Sequence, residues 1–389
     1  MTRFPLTRRA GLSALAAGLL AAASIPALAQ APASYKFGLA MPLTGGQALY
    51  GNDQVKAAQW AVDAINAKGG VNGKKLEMVV LDTQADPQVG IQAVNRLISV
   101  DKTPVFVTAW SGVVKAVAPI ANDNKVVELS VGANAPDISK LGDYVYTTFP
   151  LADVDIRAVA TYSAKTMGKK RAAVLIVNNE TGIGSAEVYK DAFKKAGGQI
   201  VASESYDQKA TDFTGPLLKI RAANPDIMHL QGLVAESPQV IAQARQLGLT
   251  MPITSYSGIY NPKLIEQLGA AAEGVIATSL APGVTDSPAV KEYVDRWQKE
   301  VGRPPNGLPY TQYLHDTPYL VAAVFAALDK KGAPVTGENF RKEMLAIKSF
   351  DLPLSGKIEF SDDRTVNKPV YLVEVKGGKW TPLAVVDNK

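Results

Sequence analysis

The stretch NDQVKAAQWAVDAINAKGGVNGKKLEMVVLD, residues 52–82, decides the fold. Val55, Ala58, Val62 and Ile65 fall on one stripe at helical spacing. Gly69-Gly70 ends that helix, because the residue after a helix C-terminus commonly adopts a positive φ that glycine tolerates. Leu76, Met78 and Val80 then alternate as a strand running into Asp82. A helix turning through glycines into a strand is half of a repeating αβ unit.

Working outward, the unit repeats. Lys36–Ala40 reads as a strand before the helix. Pro87 opens a second helix carrying Ile91, Val94, Leu97 and Ile98, and Val105–Thr108, Val113–Ala121 and Val126–Ser130 continue as strand, helix and strand. Alternation of this kind predicts a parallel sheet with helices on both faces. The pattern then breaks near Thr147–Asp153 and restarts. Ala172–Val177, Ile200–Ser205, Ile227–Leu230, Ile253–Tyr256 and Gly274–Thr278 read as strands, with helices between them marked by Ala186, Tyr189 and Phe193, by Leu217 and Ile220, and by Val240, Ile241 and Ala244. A second break falls near Leu280–Thr285. Beyond Pro288 come three helical segments, including Pro318–Lys330 and Glu338–Ile347, and then strands at Tyr371–Val375 and Leu383–Val386. Helices first and strands last fit a chain that returns to the first unit and crosses again to the second. Several crossings make a hinge, and the cleft between two such units is a ligand site at the carboxyl ends of the strands.

The beginning of the chain reads as an address. Arg3, Arg8 and Arg9 precede an apolar run from Ala10 to Ala23, and Ala27-Leu28-Ala29 has the small-x-small form of a cleavage site. A secretory signal peptide over residues 1–29 is expected, through the general route or, given Arg8-Arg9, a twin-arginine route. The chain has 41 basic and 36 acidic side chains, a net charge of +5. Three of those basic residues belong to the leader, so the charge gives no support for a nucleic-acid partner. No later run is long and apolar enough for a membrane helix. The absence of cysteine excludes disulfides, a lipid-modified cysteine and thiolate chemistry, and two histidines leave no Cys/His zinc site. The expected compartment is a bacterial periplasm.

Catalytic patterns are missing. There is no G-x-S-x-G elbow and no Walker A loop. Gly182-Ile183-Gly184 lacks the third glycine of a dinucleotide fingerprint. His315 and Asp316 are adjacent, and neighbours on a helix do not face one another. His229 lies in an apolar strand and reads as half-buried. Asp362-Asp363 reads as a solvated turn. No cofactor or metal is expected.

The loops carry a family resemblance. Pro42-Leu43-Thr44-Gly45-Gly46, Tyr50-Gly51, Ile65-Asn66-Ala67-Lys68-Gly69-Gly70-Val71-Asn72-Gly73, the strand into Asp82 with Asp86-Pro87, and Pro119-Ile120-Ala121 together resemble periplasmic leucine/isoleucine/valine-binding proteins. The resemblance runs over essentially the whole chain after the leader. It implies an α/β, type I periplasmic binding protein: two Rossmann-like lobes with parallel sheets, joined by a three-crossover hinge, closing on a small ligand delivered to the membrane permease of an ABC importer. The implied lobes are residues 30–150 with 281–355, and 151–280 with 356–389, in a monomer.

The resemblance also implies a site. Trp110-Ser111-Gly112 ends a strand and opens a helix, where exposed N–H groups and the Ser hydroxyl suit a carboxylate. In the family a serine here binds the ligand carboxylate; Ser111 as a plain N-cap is the other reading. The expected ligand-binding set is Tyr50, Trp110, Ser111, Gly132, Ala133, Asn134 and Tyr310, with Thr181, Gly182, Gly232, Leu233, Gly258 and Tyr260 from the second unit. Three departures stand out. Asn134 replaces a usual Thr. The second-lobe acid that holds an α-ammonium in the amino-acid binders is absent at Ser257-Gly258-Ile259-Tyr260, leaving only Glu236 in the preceding loop. Ala85 and Trp110 take the places of the usual disulfide, and Trp110 either stacks on an aromatic ligand or fills core. A buried ammonium without a counter-charge is costly. The preferred ligand is therefore a carboxylate without an ammonium, such as an aromatic acid, ahead of an aliphatic amino acid. A secreted enzyme or a receptor module on the same architecture is the alternative.

Overall fold

The computed structural model describes residues 34–283, 287–366 and 368–386; the expected leader and its cleavage site lie outside them. In chain order the first half runs β1 (Ser34–Met41), α1 (Ala48–Ala67), β2 (Lys75–Asp82), α2 (Pro87–Ser99), β3 (Val105–Thr108), α3 (Ser111–Asn124), β4 (Val127–Ser130) and β5 (Val145–Thr147). These strands form a five-stranded, wholly parallel sheet in the order β2-β1-β3-β4-β5. The Gly69-Gly70 turn is built as expected, with φ of 98° and 72°. A Cβ on Gly70 would stand 2.1 Å from the Lys74 carbonyl oxygen. Asn66 fixes the geometry of the turn: its side chain both donates to the Leu76 carbonyl and accepts from the Leu76 N–H, each at 2.9 Å.

The chain continues through α4 (Ala152–Lys165), β6 (Arg171–Val177), α5 (Glu180–Lys195), β7 (Gln199–Tyr206), α6 (Thr214–Ala222), β8 (Ile227–Gln231), α7 (Ser237–Gln246), β9 (Ile253–Ser255), α8 (Pro262–Leu268) and β10 (Val275–Ser279). It then runs through α9 (Pro288–Val301), α10 (Leu308–Lys330), α11 (Gly337–Ile347), β11 (Ser349–Leu352), β12 (Gly356–Glu359), β13 (Val370–Lys376) and β14 (Lys379–Val386). The second sheet has seven strands in the order β14-β13-β10-β9-β8-β6-β7.

That sheet is not parallel throughout. β13 pairs antiparallel with β10, Ser279 opposite Tyr371, and β14 pairs antiparallel with β13. The β13–β14 pairing has a local reason: Gly377-Gly378, both at positive φ, form a two-residue hairpin, and a hairpin can only join antiparallel strands. β5, α8 and the β11–β12 hairpin were absent from the sequence reading. β5 is three residues long, and β11–β12 alternates charged and apolar side chains over four-residue strands, too short for a period to register.

α10 belongs to the first sheet although it follows the second in the chain. Its Asp329 accepts hydrogen bonds from Tyr35 of β1 and from Asn72 and Lys74 beside β2. Phe325 of the same helix stacks on Tyr35 at 4.9 Å. Among the described residues, no helix is long and apolar enough to cross a membrane.

Candidate functional site

The loops that follow the strands of both sheets at their carboxyl ends line one cleft of about 880 Å³, within the usual range for small-molecule sites. From the first sheet come Tyr50 and Gln54 of α1, Gln84–Pro87, Ala109–Gly112 and Gly132–Asn134, with Tyr310 from α10. From the second come Asn179–Thr181, Gln208–Thr211, Leu233–Glu236, Gln239 and Tyr256.

α3 begins at the cleft without a side-chain cap. Trp110, immediately before it, has a φ of +63°, a left-handed conformation that an aromatic side chain rarely takes. The turn leaves the first helical N–H groups facing the cleft, where an anion gains most from them. Ser111 is not an N-cap. Its hydroxyl oxygen accepts from the Ala135 N–H at 3.3 Å and from the Thr181 hydroxyl at 3.0 Å. The second of these crosses the cleft, from α5 to α3.

A further bond across the cleft lies one turn along α3. Lys115 Nζ sits 2.7 Å from Asp137 and 2.5 Å from Glu180 at the start of α5. Burial pulls the Lys115 amine down, but the two carboxylates outweigh it and its pKa is raised. Both acids are more than half exposed, so the coupling is small, about 0.2–1 kcal/mol. Lys115→Ala is accordingly expected to raise amide exchange in residues 180–184 by about two- to five-fold, read by hydrogen–deuterium exchange. Unchanged exchange there would show that the bridge holds nothing closed.

Gly132 and Tyr310 fit as a pair. Gly132 has a φ of 92°, and a Cβ there would approach the Tyr310 ring to 2.8 Å. Tyr310 stacks on Phe149 at 4.8 Å, and its hydroxyl lies 3.0 Å from the Ser257 hydroxyl. Burial pushes the phenols of Tyr50, Tyr256 and Tyr310 up, so all three stay neutral. Ala133 is buried, and Asn134 accepts from the Ala152 N–H through its carbonyl, 2.7 Å, while its side-chain Nδ2 has no partner among the described residues. Trp110 is partly buried and lines the cleft.

Four expected positions stand behind the wall instead. Gly182 packs under its own strand, where a Cβ would meet the Val177 carbonyl oxygen at 2.0 Å, and its N–H is taken by the Asn179 cap. Gly232 makes room for the Tyr206 and Ser237 hydroxyls. Gly258 lies beneath the Tyr256 ring, 2.3 Å from where a Cβ would be. Tyr260 lines a separate, smaller cavity with Tyr371 and Trp380, edge-on to Trp380 at 5.3 Å. The single 3₁₀ turn Ser257–Ile259 accounts for this: it leaves Tyr256 at the cleft and carries Tyr260 toward β14. Thr181 and Leu233 do reach the cleft. Tyr256, Gln54 and Glu236 are there too and were outside the expected set; the position just past the end of a strand was the signal for Tyr256.

Neither histidine is at the cleft. His229 is completely buried rather than half-buried, stacked on Tyr189 at 4.2 Å, and burial lowers its pKa to about 3. His315 Nδ1 does contact Asp316, at 3.0 Å, contrary to the spacing argument, because the short carboxylate folds back beside its own neighbour. That carboxylate is committed to the backbone of Leu354 and Ser355. Among the described residues, no group of three or more His, Cys, Asp or Glu side chains could hold a metal ion.

Two parallel-strand units meeting at such a cleft define a ligand-binding protein of the two-sheet type. Residues 34–379 match the periplasmic binding protein family, and the chain belongs to it as a solute-binding protein of the branched-chain amino-acid ABC-transporter group. A Leu/Ile/Val-binding protein of Rhizobium johnstonii is 30% identical over 285 residues, 73% of this chain and 77% of that one. The crystal structure of a leucine-binding protein of Thermotoga maritima is 26% identical with a TM-score of 0.80, covering 91% of this chain and 99% of that one. An ABC-transporter solute-binding protein of Rhodopseudomonas palustris, solved with 3,4-dihydroxybenzoic acid, is 25% identical with a TM-score of 0.79 and covers 92% and 98%.

Proposed function

We propose that the chain is exported through cleavage after Ala29 and works in the periplasm as a monomer. It binds a small carboxylate without transforming it and hands it to a membrane permease. The two sheets then correspond to two lobes, residues 30–150 with 281–355 and residues 151–280 with 356–389, which open and close about their connections. The ligand class we favour is an aromatic acid. The observation that carries this is the composition of the wall around Ser111: an uncapped helix start and the Asn134 amide for a carboxylate, with the rings of Tyr50, Trp110, Tyr256 and Tyr310 around the rest. The dihydroxybenzoate bound by the Rhodopseudomonas palustris relative supports the same reading.

A second reading, an aliphatic amino acid, draws support from Glu236, which lines the cleft as the acid that the segment around Gly258 lacks. Calorimetric titration against benzoic acids and branched-chain amino acids separates the two. An aromatic acid is expected to bind, and Ser111→Ala to weaken it by about ten- to a hundred-fold, the worth of a hydrogen bond to a charged group. Tight leucine binding with no aromatic response would overturn the preference, and a ligand indifferent to Ser111 would overturn the site.

A further inference from the structure

Three buried polar atoms that line the cleft have no hydrogen-bond partner among the described residues: Asn134 Nδ2, Gln54 Oε1 and Glu236 Oε2. Buried polar groups are nearly always satisfied, and one left unmatched is costly, most of all when it is charged. Glu236 is therefore the most demanding of the three. It is only 9% exposed. It sits just before α7, where its Oε1 accepts from the Lys209 N–H at 3.3 Å. Its charge acts on Tyr206 and Tyr256, on the second-sheet side. Ser111, by contrast, is bonded to Ala135 and Thr181. The two groups have no hydrogen-bond partner in common, and they stand on walls built from different sheets.

This separation bears on the ligand. An α-ammonium nitrogen is only two bonds from its carboxylate carbon, and a carboxylate at Ser111 would keep it close to Ser111. From the wall opposite Ser111, Glu236 offers its unpartnered oxygen to a part of the ligand away from the carboxylate. It can only accept, so it calls for an O–H or N–H donor there, remote from the carboxylate and carried on a ring-sized body between Tyr256 and Trp110. We infer that Glu236 is a specificity-determining residue that accepts a hydrogen bond from a ring hydroxyl, so that the cleft selects hydroxy-substituted aromatic acids over the unsubstituted acid. This rests on the reading above, in which the carboxylate lies at Ser111. A site built around a buried acceptor rejects the analogue lacking the donor, because that analogue leaves the acceptor unpaired.

The test is calorimetry on the mature chain with benzoate, 3-hydroxybenzoate, 4-hydroxybenzoate, 3,4-dihydroxybenzoate and leucine. Wild type, Glu236→Gln, Glu236→Ala and Ser111→Ala are compared. Wild type is expected to prefer at least one hydroxylated acid to benzoate by about ten- to a hundred-fold. In Glu236→Ala that preference should collapse to within about three-fold, with benzoate affinity little changed, and Glu236→Gln should fall between. A merely structural role would weaken every acid alike and leave the preference intact, which overturns the inference. So would a wild type that binds benzoate as tightly as all its hydroxylated forms. If Ser111→Ala spares the aromatic acids, or only leucine binds, the underlying reading has failed and the inference fails with it; if Ser111→Ala weakens them while the preference ignores Glu236, the inference alone has failed.

Discussion

Asp316→Ala is expected to lower the unfolding free energy by about 3–5 kcal/mol, read as a drop in the urea midpoint at unchanged slope. Asp316 is completely buried in α10. Its carboxylate accepts from the Leu354 N–H at 3.0 Å, the Ser355 N–H at 2.6 Å and the Ser355 hydroxyl at 2.7 Å. Removing it strands two buried backbone donors and a hydroxyl together, and each unmatched group costs about 1–3 kcal/mol. Asp316→Asn keeps the volume and one acceptor oxygen, so its loss should be smaller than that of Asp316→Ala. The contact also has a place in the architecture. Leu354 and Ser355 form the turn between β11 and β12, on the stretch that leads from the first sheet back to the second. A loss below about 1 kcal/mol for Asp316→Ala would mean that this carboxylate is not holding the turn.

The second large effect is an inverted pH profile. Glu128 lies in the middle of β4, completely buried, and burial raises its pKa to about 8; Asp155 in α4, equally buried, is raised to about 7. Each keeps one hydrogen bond, from Thr108 and from Thr278, and the second oxygen of each has no partner among the described residues. A carboxyl whose pKa is higher folded than unfolded contributes stability that is complete below its unfolded value. That contribution fades as pH rises and is gone above the folded value. Both contributions are thus present near pH 4 and lost by about pH 7 for Asp155 and pH 8 for Glu128, on the order of 4 kcal/mol each. His229 opposes them. Its depressed pKa contributes stability that is lost as pH falls from the ordinary histidine range toward 3. Two falling contributions against one rising still leave the protein more stable at pH 5 than at pH 8, and above the histidine range only the fall remains. Glu128→Gln and Asp155→Asn mimic the neutral acids and should flatten the slope in thermal melts across pH 5 to 8. A wild-type profile rising toward pH 8 would refute the assignment. The Asp155 case reaches the cleft, because the Ser257 backbone also acts to lower the Asp155 pKa, and the Ser257 hydroxyl lies 3.0 Å from the Tyr310 hydroxyl.

Much of this was legible in the residues. The helix stripe ending at Gly69-Gly70 and the apolar strands each follow from a period or a turn signal that acts locally. Ser111, Thr181 and Tyr310 could be found from their places after strands or from family resemblance. Tyr260 could not, since one 3₁₀ turn decides which of two tyrosines four residues apart meets the cleft. Glu236 was legible as a rim residue but not as a buried acid. Its surroundings include the Lys209 N–H and, within electrostatic reach, Tyr206 and Tyr256, all distant in sequence. The antiparallel edge was hidden for a related reason: Leu383–Val386 announces a strand, and only the Gly377-Gly378 turn gives its direction.

That edge has a consequence for how the molecule is made. β10 is paired on one side by β9, close by in the chain, but its other side waits for β13, which emerges only after α9, α10, α11 and the β11–β12 hairpin. The five-strand sheet needs nothing beyond β5 to close its pairing. During synthesis the first sheet can therefore be complete while β10 still presents a bare row of N–H and C=O groups, the kind of edge that recruits other chains. A truncated chain ending before Val370 would keep that edge on β10; in the finished molecule β13 and β14 cover it, and the outer edge passes to β14, where Pro382 has no N–H to offer.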